Sequence, residues 1–232
     1  MKRIGIIVAM DKEFLQLKGL LDKVHTERHH DRDFTIGQMG QTQLVMMQCG
    51  IGKVNAAIGA VEMIDGFHPD MMISTGVAGG AYPELKPLDV VVSEACTYHD
   101  VYCGTEVEYG QVLGLPACYA SPRDIVELTR QLTHPIEGAT IVRGLTVTGD
   151  WFVDSKEKMR EILTRFPDAM AVDMESCAIA QTCHLYNIPF VSFRIISDVP
   201  LNDHQASQYY DFWERMAEGS FKVTQAFLRE IV

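Results

Sequence analysis

Three acidic residues stand beside strongly apolar sequence and are the side chains best suited to chemistry in this chain. Glu13 follows the apolar segment 4–10, Glu175 closes Ala-Val-Asp-Met-Glu, and Asp198 closes Arg-Ile-Ile-Ser-Asp. Removing a carboxylate from water costs several kcal/mol unless a partner or a raised pKa compensates. Each acid could instead cap the helix that follows it, since acids favour helix N-termini. Three such acids at strand ends favour acid and base catalysis over capping.

Length and charge predict one domain, residues 1–232, that binds a small molecule. A chain of 232 residues can bury most of its surface in a single α/β unit. The formal net charge of −11 disfavours nucleic acid and anionic membranes as partners, since both need a cationic surface. The apolar run at the N-terminus stops at Asp11, too early for a signal peptide or a membrane span. We therefore expect a cytoplasmic protein.

The cysteines and histidines do not show the pattern of a metal site. The six cysteines include no C-x-x-C pair and no zinc-ligand spacing, and several lie in apolar stretches where free thiols pack well. His29 and His30 fall in a polar segment, and His184 falls in a helical pattern. We expect reduced thiols and no bound metal.

Apolar strand-like runs alternate with helix-period segments along the chain. Hydrophobicity within the strand-like runs is continuous, which predicts a mostly parallel α/β sheet covered by helices on both faces. In such sheets ligands bind at the carboxyl ends of the strands, where the three acids fall. The predicted strands are Ile4–Ala9, Leu44–Gln48, Met71–Ser74, Val90–Ser93, Leu145–Thr148, Met170–Val172 and Phe190–Ile196. The predicted helices are Lys12–Leu21, Lys53–Phe67, Pro122–Leu132, Ser155–Arg165, Glu175–Tyr186 and Tyr209–Ile231.

Two glycine-rich segments do not match nucleotide-binding motifs. In Gly50-Ile-Gly-Lys-Val54, Met47 takes the place of the first glycine of a phosphate loop, and Val54 that of the magnesium-binding hydroxyl. The segment 75–80, Thr-Gly-Val-Ala-Gly-Gly, follows a strand but lacks the dinucleotide-binding spacing. No organic cofactor is expected, and these glycines indicate either close approach of the backbone to a ligand or a tight turn.

An ordered series of short motifs resembles the 5'-methylthioadenosine/S-adenosylhomocysteine nucleosidase family over nearly the whole chain. The resemblance implies a nucleoside phosphorylase-like fold, with a mixed α/β sheet flanked by helices, usually assembled as a homodimer. The motifs are Gly5-Ile-Ile-Val-Ala-Met-x-x-Glu13, Gly50-Ile-Gly-Lys-Val54, Thr75-Gly-Val-Ala-Gly-Gly80, Tyr98-His-Asp100, Thr148-Gly-Asp-x-Phe152, Val172-Asp-Met-Glu175 and Arg194-x-x-Ser-Asp198.

The same resemblance implies a reaction and assigns roles to residues. The reaction is hydrolysis of the N-glycosidic bond of 5'-methylthioadenosine and S-adenosylhomocysteine, with 5'-deoxyadenosine as a further candidate substrate. Asp198 would protonate adenine at N7, with its pKa raised by desolvation, while Glu13 activates water, as paired carboxyls do in inverting glycosidases. Glu175 would bind the ribose hydroxyls. The other implied substrate-binding residues are Met174 at the sugar, Phe152 and Val153 at adenine, Met10 and Ile51 at the 5' group, and Gly79, Arg194 and Ser197.

Three alternatives remain open from the sequence: a nucleoside phosphorylase, a hydrolase of a related nucleoside such as aminodeoxyfutalosine, and a sensor that binds nucleosides without turnover. Phosphorylases hold phosphate with arginines, and the predicted strand that ends in Ser74 carries no arginine before its glycines, so hydrolysis is favoured. Phe152 could also be a simple core residue. The family's pattern is not matched at Val77, Asp173 and Pro200, and Tyr209 is either a lid residue or a packing residue.

Overall fold

A ten-stranded mixed sheet forms the centre of the computed structural model, which describes residues 2–202, 205–216 and 221–231. The strands are β1 (Arg3–Val8), β2 (Asp22–His29), β3 (Arg32–Met39), β4 (Thr42–Gln48), β5 (Met71–Gly80), β6 (Val90–Tyr98), β7 (Tyr119–Ala120), β8 (Ile141–Thr148), β9 (Ala169–Asp173) and β10 (Phe190–Asp198). The helices are α1 (Asp11–Lys18), α2 (Lys53–Phe67), α3 (Arg123–Thr129), α4 (Lys156–Arg165), α5 (Ser176–Leu185), α6 (Gln205–Asp211) and α7 (Lys222–Ile231), with a π-helical turn at Phe212–Met216.

Strand β5 pairs with three other strands of this sheet. It pairs in parallel with β1 on one side and β10 on the other, and its last residues, Gly79 and Gly80, pair antiparallel with β9. Strands β6 and β8 connect β10 to β9, which closes this half of the sheet into a ring, while β4, β3 and β2 extend the other edge beyond β1. The carboxyl ends of β1, β5 and β10 therefore lie side by side.

Helices cover both faces of the sheet, as the continuous hydrophobicity of the strands predicts. Along β1, Ile7 packs with residues of α2 and α5, whereas Ile4, Ile6 and Val8 pack with residues of α1 and α7. Both faces of β1 are thus buried, which explains the absence of apolar and polar alternation in its sequence. Among the described residues, no helix combines the length and the hydrophobicity needed to cross a bilayer. All six cysteines are free thiols.

The predicted predominance of parallel strands is not confirmed. Five of the ten pairings among the described strands are antiparallel: two in the successive hairpins of β2, β3 and β4, and three more between β6 and β10, β5 and β9, and β6 and β7. Sequence reasoning missed β2, β3 and the short β7, since β2 is exposed along most of its length and carries no hydrophobic pattern. The predicted helix Tyr209–Ile231 corresponds to α6, the π-helical turn and α7, with residues 217–220 outside the described part of the chain.

The anchoring of α7 on the sheet can be tested by mutation. The rings of Phe227 on α7 and Phe193 on β10 are both fully buried, with centroids 4.8 Å apart. We expect Phe227→Ala to lower the free energy of unfolding by about 3–5 kcal/mol, because it leaves a cavity at this contact. The control Leu15→Ala, at a side chain exposed by 60% on α1, should change it by about 0.5 kcal/mol or less. Urea denaturation measures both, and equal effects would contradict this account of the core.

Candidate active site

A cleft at the carboxyl ends of the central strands brings together ten of the eleven site residues expected from the sequence. The two catalytic candidates, Glu13 and Asp198, line it together, and Arg194 is the expected residue that does not. The other expected residues in its wall are Met10, Ile51, Gly79, Phe152, Val153, Met174, Glu175 and Ser197. The remaining lining residues are Ala9, Val77, Ala78, Trp151, Val172, Asp173 and Tyr209.

Glu13 is fixed by backbone donors from two sides of the cleft. Helix α1 begins directly after β1, so the side chain of its third residue folds back over the strand end. Its Oε2 accepts hydrogen bonds of 2.9 Å from the amides of Ala9 and Met10, and its Oε1 accepts one of 2.9 Å from the amide of Val77. Burial raises the pKa of Glu13, and these donors together with Arg194 offset part of that effect. The group is therefore a fixed carboxyl with increased proton affinity.

Arg194 lies behind the cleft at the centre of a polar cluster. Its Nε is 2.8 Å from Oδ2 of Asp173 and donates to Oγ of Ser176 at 2.9 Å, while its Nη2 donates to Oγ of Ser74 at 2.6 Å. The side chain is only 1% exposed. Burial alone would lower the pKa of Arg194, but Asp173, Glu175 and Glu13 raise it overall. The guanidinium therefore stays charged and acts on the cleft through its neighbours.

Gly76 on β5 makes the close approach between this cluster and Glu13 possible. A Cβ atom at this position would lie 2.6 Å from Nη1 of Arg194 and 2.7 Å from Oε1 of Glu13. Those separations are shorter than real contacts of Cβ atoms, so a side chain here would displace both charged groups. The structure thus gives this glycine a role in the close packing of two charged side chains, while the expected approach of the backbone to a ligand stays a prediction.

Glu175 lies at the start of α5 and is held by the loop that precedes α2. Its Oε1 accepts a hydrogen bond of 2.9 Å from the amide of Gly52. Burial, followed by the neighbouring carboxylate of Asp173, raises its pKa to about 7, and Arg194 and the Gly52 amide oppose this rise. Small changes around Glu175 therefore alter its charge near neutral pH.

Asp198 ends β10, where a register shift against β5 lies between Ile196 and Asp198. The carboxyl is 3% exposed, and its Oδ1 accepts a hydrogen bond of 2.6 Å from the hydroxyl of Ser197. The next residue, Val199, donates its amide to the side chain of Gln208 on α6 at 3.0 Å. These contacts hold the acid in the cleft wall.

The rim of the cleft is aromatic. Phe152 is 52% exposed, which rules out the alternative of a simple core residue, and its ring meets that of Tyr209 edge to face at 5.4 Å between centroids. Trp151 beside it is also exposed, whereas Val153 is buried. A flat apolar surface of this kind is suited to stacking against a heterocyclic base.

Two functional relationships were missed at the sequence level. Asp173 stood out only as a departure from a family pattern, yet it accepts from the hydroxyl of Thr148 at 2.5 Å and pairs with Arg194. The signal available was an arginine inside an otherwise apolar strand, which requires a buried acid somewhere in the fold. Ser74 and Ser176, which complete the arginine's hydrogen bonds, carry no sequence signal of their own. No group of residues that could hold a metal ion occurs in the part of the chain that the structure describes.

Comparisons with known proteins agree over the whole length of the chain. The family model of the phosphorylase superfamily matches residues 3–230. The 5'-methylthioadenosine/S-adenosylhomocysteine nucleosidase of Bacillus subtilis (strain 168) is 36% identical over 230 residues, which covers 99% of each chain. The solved structure of the enzyme of that name from Neisseria meningitidis, in complex with methylthio-immucillin-A, has a TM-score of 0.92 at 34% identity and covers 99% of this chain and 100% of that chain. The corresponding Streptococcus pneumoniae structure, with a transition-state inhibitor, has a TM-score of 0.91 at 31% identity and covers 99% and 100% of the two chains.

The raised pKa of Glu175 predicts a pH-dependent stability. Its folded pKa of about 7 lies above the ordinary value of 4.5, so the wild-type protein loses stability as pH rises between these values, on the order of 3 kcal/mol in total. Glu175→Gln removes this titration while keeping an acceptor for Gly52. We expect the variant to melt at a higher temperature than wild type at pH 8 and the difference to shrink toward pH 5.

Thermal denaturation followed by circular dichroism across pH 4.5–8 measures this difference. The control Glu157→Gln, on the exposed surface of α4, should show a difference from wild type that does not vary with pH. A pH-independent difference for Glu175→Gln would contradict the assignment of a raised pKa.

Proposed function

The chain belongs to the 5'-methylthioadenosine/S-adenosylhomocysteine nucleosidase family of the phosphorylase superfamily, and we propose that it hydrolyses the N-glycosidic bond of both nucleosides to release adenine. The names of its relatives support the substrate class. The observation that carries the proposal is the pair of buried carboxyls, Glu13 and Asp198, in the walls of one cleft. Such a pair can supply a proton to the leaving base and accept one from water.

Asp198 is the proposed general acid. Cleavage of the bond to a purine passes through a ribosyl cation, and the base leaves most easily when N7 has received a proton. The hydroxyl of Ser197 donates to one carboxyl oxygen of Asp198 at 2.6 Å. This hydrogen bond fixes the rotamer of Asp198 and therefore also the direction of its other carboxyl oxygen. A positioned acid of this type typically contributes about 10²- to 10⁴-fold in rate.

Glu13 is the proposed base that activates water. The oxygen of the water attacks the anomeric carbon as the bond to adenine breaks, and one proton of the water passes to the carboxylate. Three backbone amides hold the Glu13 carboxylate, so it needs little reorganisation during the reaction. Its raised pKa makes it a stronger base than an exposed glutamate.

The remaining lining residues are proposed to recognise the nucleoside. Glu175 accepts hydrogen bonds from the 2'- and 3'-hydroxyls, and Met174 packs against the sugar. Phe152 stacks on adenine, and the backbone of Val153 pairs with its edge. Met10 and Ile51 contact the 5' substituent, and Gly79 and Ser197 complete the wall near the base.

Arg194 is proposed to act electrostatically. Its contact with Asp173 and its lowering effect on the pKa values of Glu13 and Glu175 support a positive charge close to the proposed base and the proposed ribose ligand. This role replaces the direct substrate contact that the family resemblance implies, because the described cleft does not include the Arg194 side chain.

Water is favoured over phosphate as the nucleophile. A phosphate dianion needs cationic donors, but no lysine or arginine lines the cleft among the described residues. Glu13 instead presents negative charge at the position where the nucleophile must enter. Hydrolysis is therefore the better-supported reaction of the superfamily's two chemistries.

We also propose that the protein assembles as a homodimer and works in the cytoplasm. Val54 and Ile58 lie one turn apart on α2 and are 69% and 45% exposed, which leaves an apolar stripe available for a second copy. The free thiols of all six cysteines suit a reducing compartment.

Identification of the reaction products tests the proposed activity. The purified protein is incubated with 5'-methylthioadenosine, with and without phosphate, and both products are identified by chromatography. We expect adenine and free 5-methylthioribose in equal amounts, at a rate that phosphate does not change. Phosphate-dependent formation of a ribose 1-phosphate would show a phosphorylase, and the absence of adenine in both reactions would contradict the proposed substrate.

Substitution of the two acids tests their roles. We expect Asp198→Asn and Glu13→Gln each to lower kcat by roughly 10²-fold or more, because each removes one proton transfer but keeps the shape of the side chain. Adenine binding, measured by calorimetry, should change little in either variant. The control Asp168→Asn, in the exposed turn before β9, should keep full activity. Wild-type kcat in either cleft variant would overturn its assigned role.

A further inference from the structure

Three loops at the rim of the cleft are joined by a cluster of one lysine and two aspartates. Lys53 is the first residue of α2, directly after the loop that follows β4, while Asp100 and Asp150 lie in the loops that follow β6 and β8. The Nζ atom of Lys53 lies 2.8 Å from both carboxylate oxygens of Asp100 and 3.8 Å from Oδ2 of Asp150. These three residues are distant in sequence and line no part of the cleft themselves.

Backbone donors tie the same cluster together. The amide of Lys53 donates to Oδ1 of Asp150 at 2.8 Å, and the amide of Asp150 donates to Oδ2 of Asp100 at 2.8 Å. Each aspartate thus binds both a side chain and a main chain, and the arrangement fixes the path of two loops. The Lys53 ammonium also lies over the ring of Tyr98, 5.4 Å from its centroid.

The loop that precedes Lys53 has little conformational preference of its own. Gly50 and Gly52 adopt φ values of 90° and 94°, which only glycine adopts readily, and glycine is the most flexible residue in the unfolded chain. The amide of Gly52 nevertheless has a defined partner, because it donates to Oε1 of Glu175 at 2.9 Å. Because the loop is flexible, contacts outside it are needed to keep the Gly52 amide directed at Glu175. Lys53, the next residue, belongs to the cluster that can supply those contacts.

We propose that Lys53, Asp100 and Asp150 are positioning residues for sugar recognition, which hold the Gly52 amide on Glu175 and so set the direction of the carboxylate that binds the ribose hydroxyls. This inference rests on the proposed function of Glu175.

A purely stabilising ion pair is the competing explanation. The side chains of Lys53 and Asp100 are 23% and 27% exposed, and ion pairs this accessible usually add less than about 1 kcal/mol to stability. The two explanations differ in what a mutation changes. Loss of a stabilising pair lowers the melting temperature and affects all ligands alike, whereas loss of positioning affects ligands that carry a ribose.

The experiment compares two probes in wild type and Lys53→Met. The first is 5'-methylthiotubercidin, a nucleoside analogue that carries the ribose hydroxyls, and the second is adenine, which lacks the sugar. We expect Lys53→Met to lower the affinity for the nucleoside analogue about tenfold, because one hydrogen bond to a charged group is misdirected. The affinity for adenine should change by less than about twofold. The kcat/KM for 5'-methylthioadenosine should fall by a similar factor.

Further variants make the test specific. Lys53→Arg keeps the positive charge and should recover most of the nucleoside affinity. Lys86→Met removes one lysine charge from the loop before β6 and should leave both affinities unchanged. In a Glu175→Gln background, Lys53→Met should add little further loss, because the group that it positions has already been altered.

The outcomes separate this inference from the proposed function. Suppose that wild type binds both probes and cleaves 5'-methylthioadenosine. The positioning role alone is then overturned if Lys53→Met lowers the affinity for both probes equally, or for neither. If wild type binds neither probe, the proposed function fails and the inference fails with it. Should Lys53→Met not fold, Asp100→Asn is tested instead, with the same comparison between the loss of nucleoside-analogue affinity and the loss of adenine affinity. This variant weakens the ion pair with Lys53 but keeps an acceptor for the Asp150 amide.

Discussion

The charge of Arg194, buried at the centre of the sheet, is the constraint on which the rest of the site depends. A guanidinium removed from water is tolerated only where carboxylates and hydrogen-bond acceptors surround it. Here the direct partner, Asp173, comes from the end of β9, and Ser74 and Ser176 come from β5 and the start of α5. The paths of three elements are thereby tied to one side chain.

That constraint also sets the electrostatics of the cleft. Asp173 is the direct partner of the guanidinium, so Glu13 and Glu175 feel its charge without forming an ion pair with it. Burial raises the pKa of both acids, and Arg194 limits the rise. The absence of a side chain at Gly76 lets the guanidinium and Glu13 both lie close to the backbone of β5. Burial therefore sets the direction of the pKa shift of each acid, and the nearby guanidinium reduces its size.

The parts of this arrangement that depend on local pattern could be predicted from the sequence, and those that depend on long-range pairing could not. Glu13, Glu175 and Asp198 were recognisable because each acid ends or follows an apolar run. The pairing of Asp173 with Arg194 joins different strands, and no spacing rule connects them. Strand β2 escaped prediction because it is exposed and pairs through its backbone, which leaves no hydrophobic period. The cluster at Lys53 was equally hidden, since its members follow three separate strands.

The charge balance of the cleft bears on which nucleophile it can accept. The positive charge nearest the site is engaged by Asp173 and lies behind the wall, while the acids Glu13, Glu175 and Asp198 line the interior. An environment of this sign repels a phosphate dianion but stabilises the ribosyl cation that develops as the base departs. Under the proposed mechanism, the acids that disfavour phosphate binding are the same acids that promote bond cleavage. In the mechanism that we propose, water, which carries no charge and gives a proton to Glu13, is the nucleophile that fits both requirements.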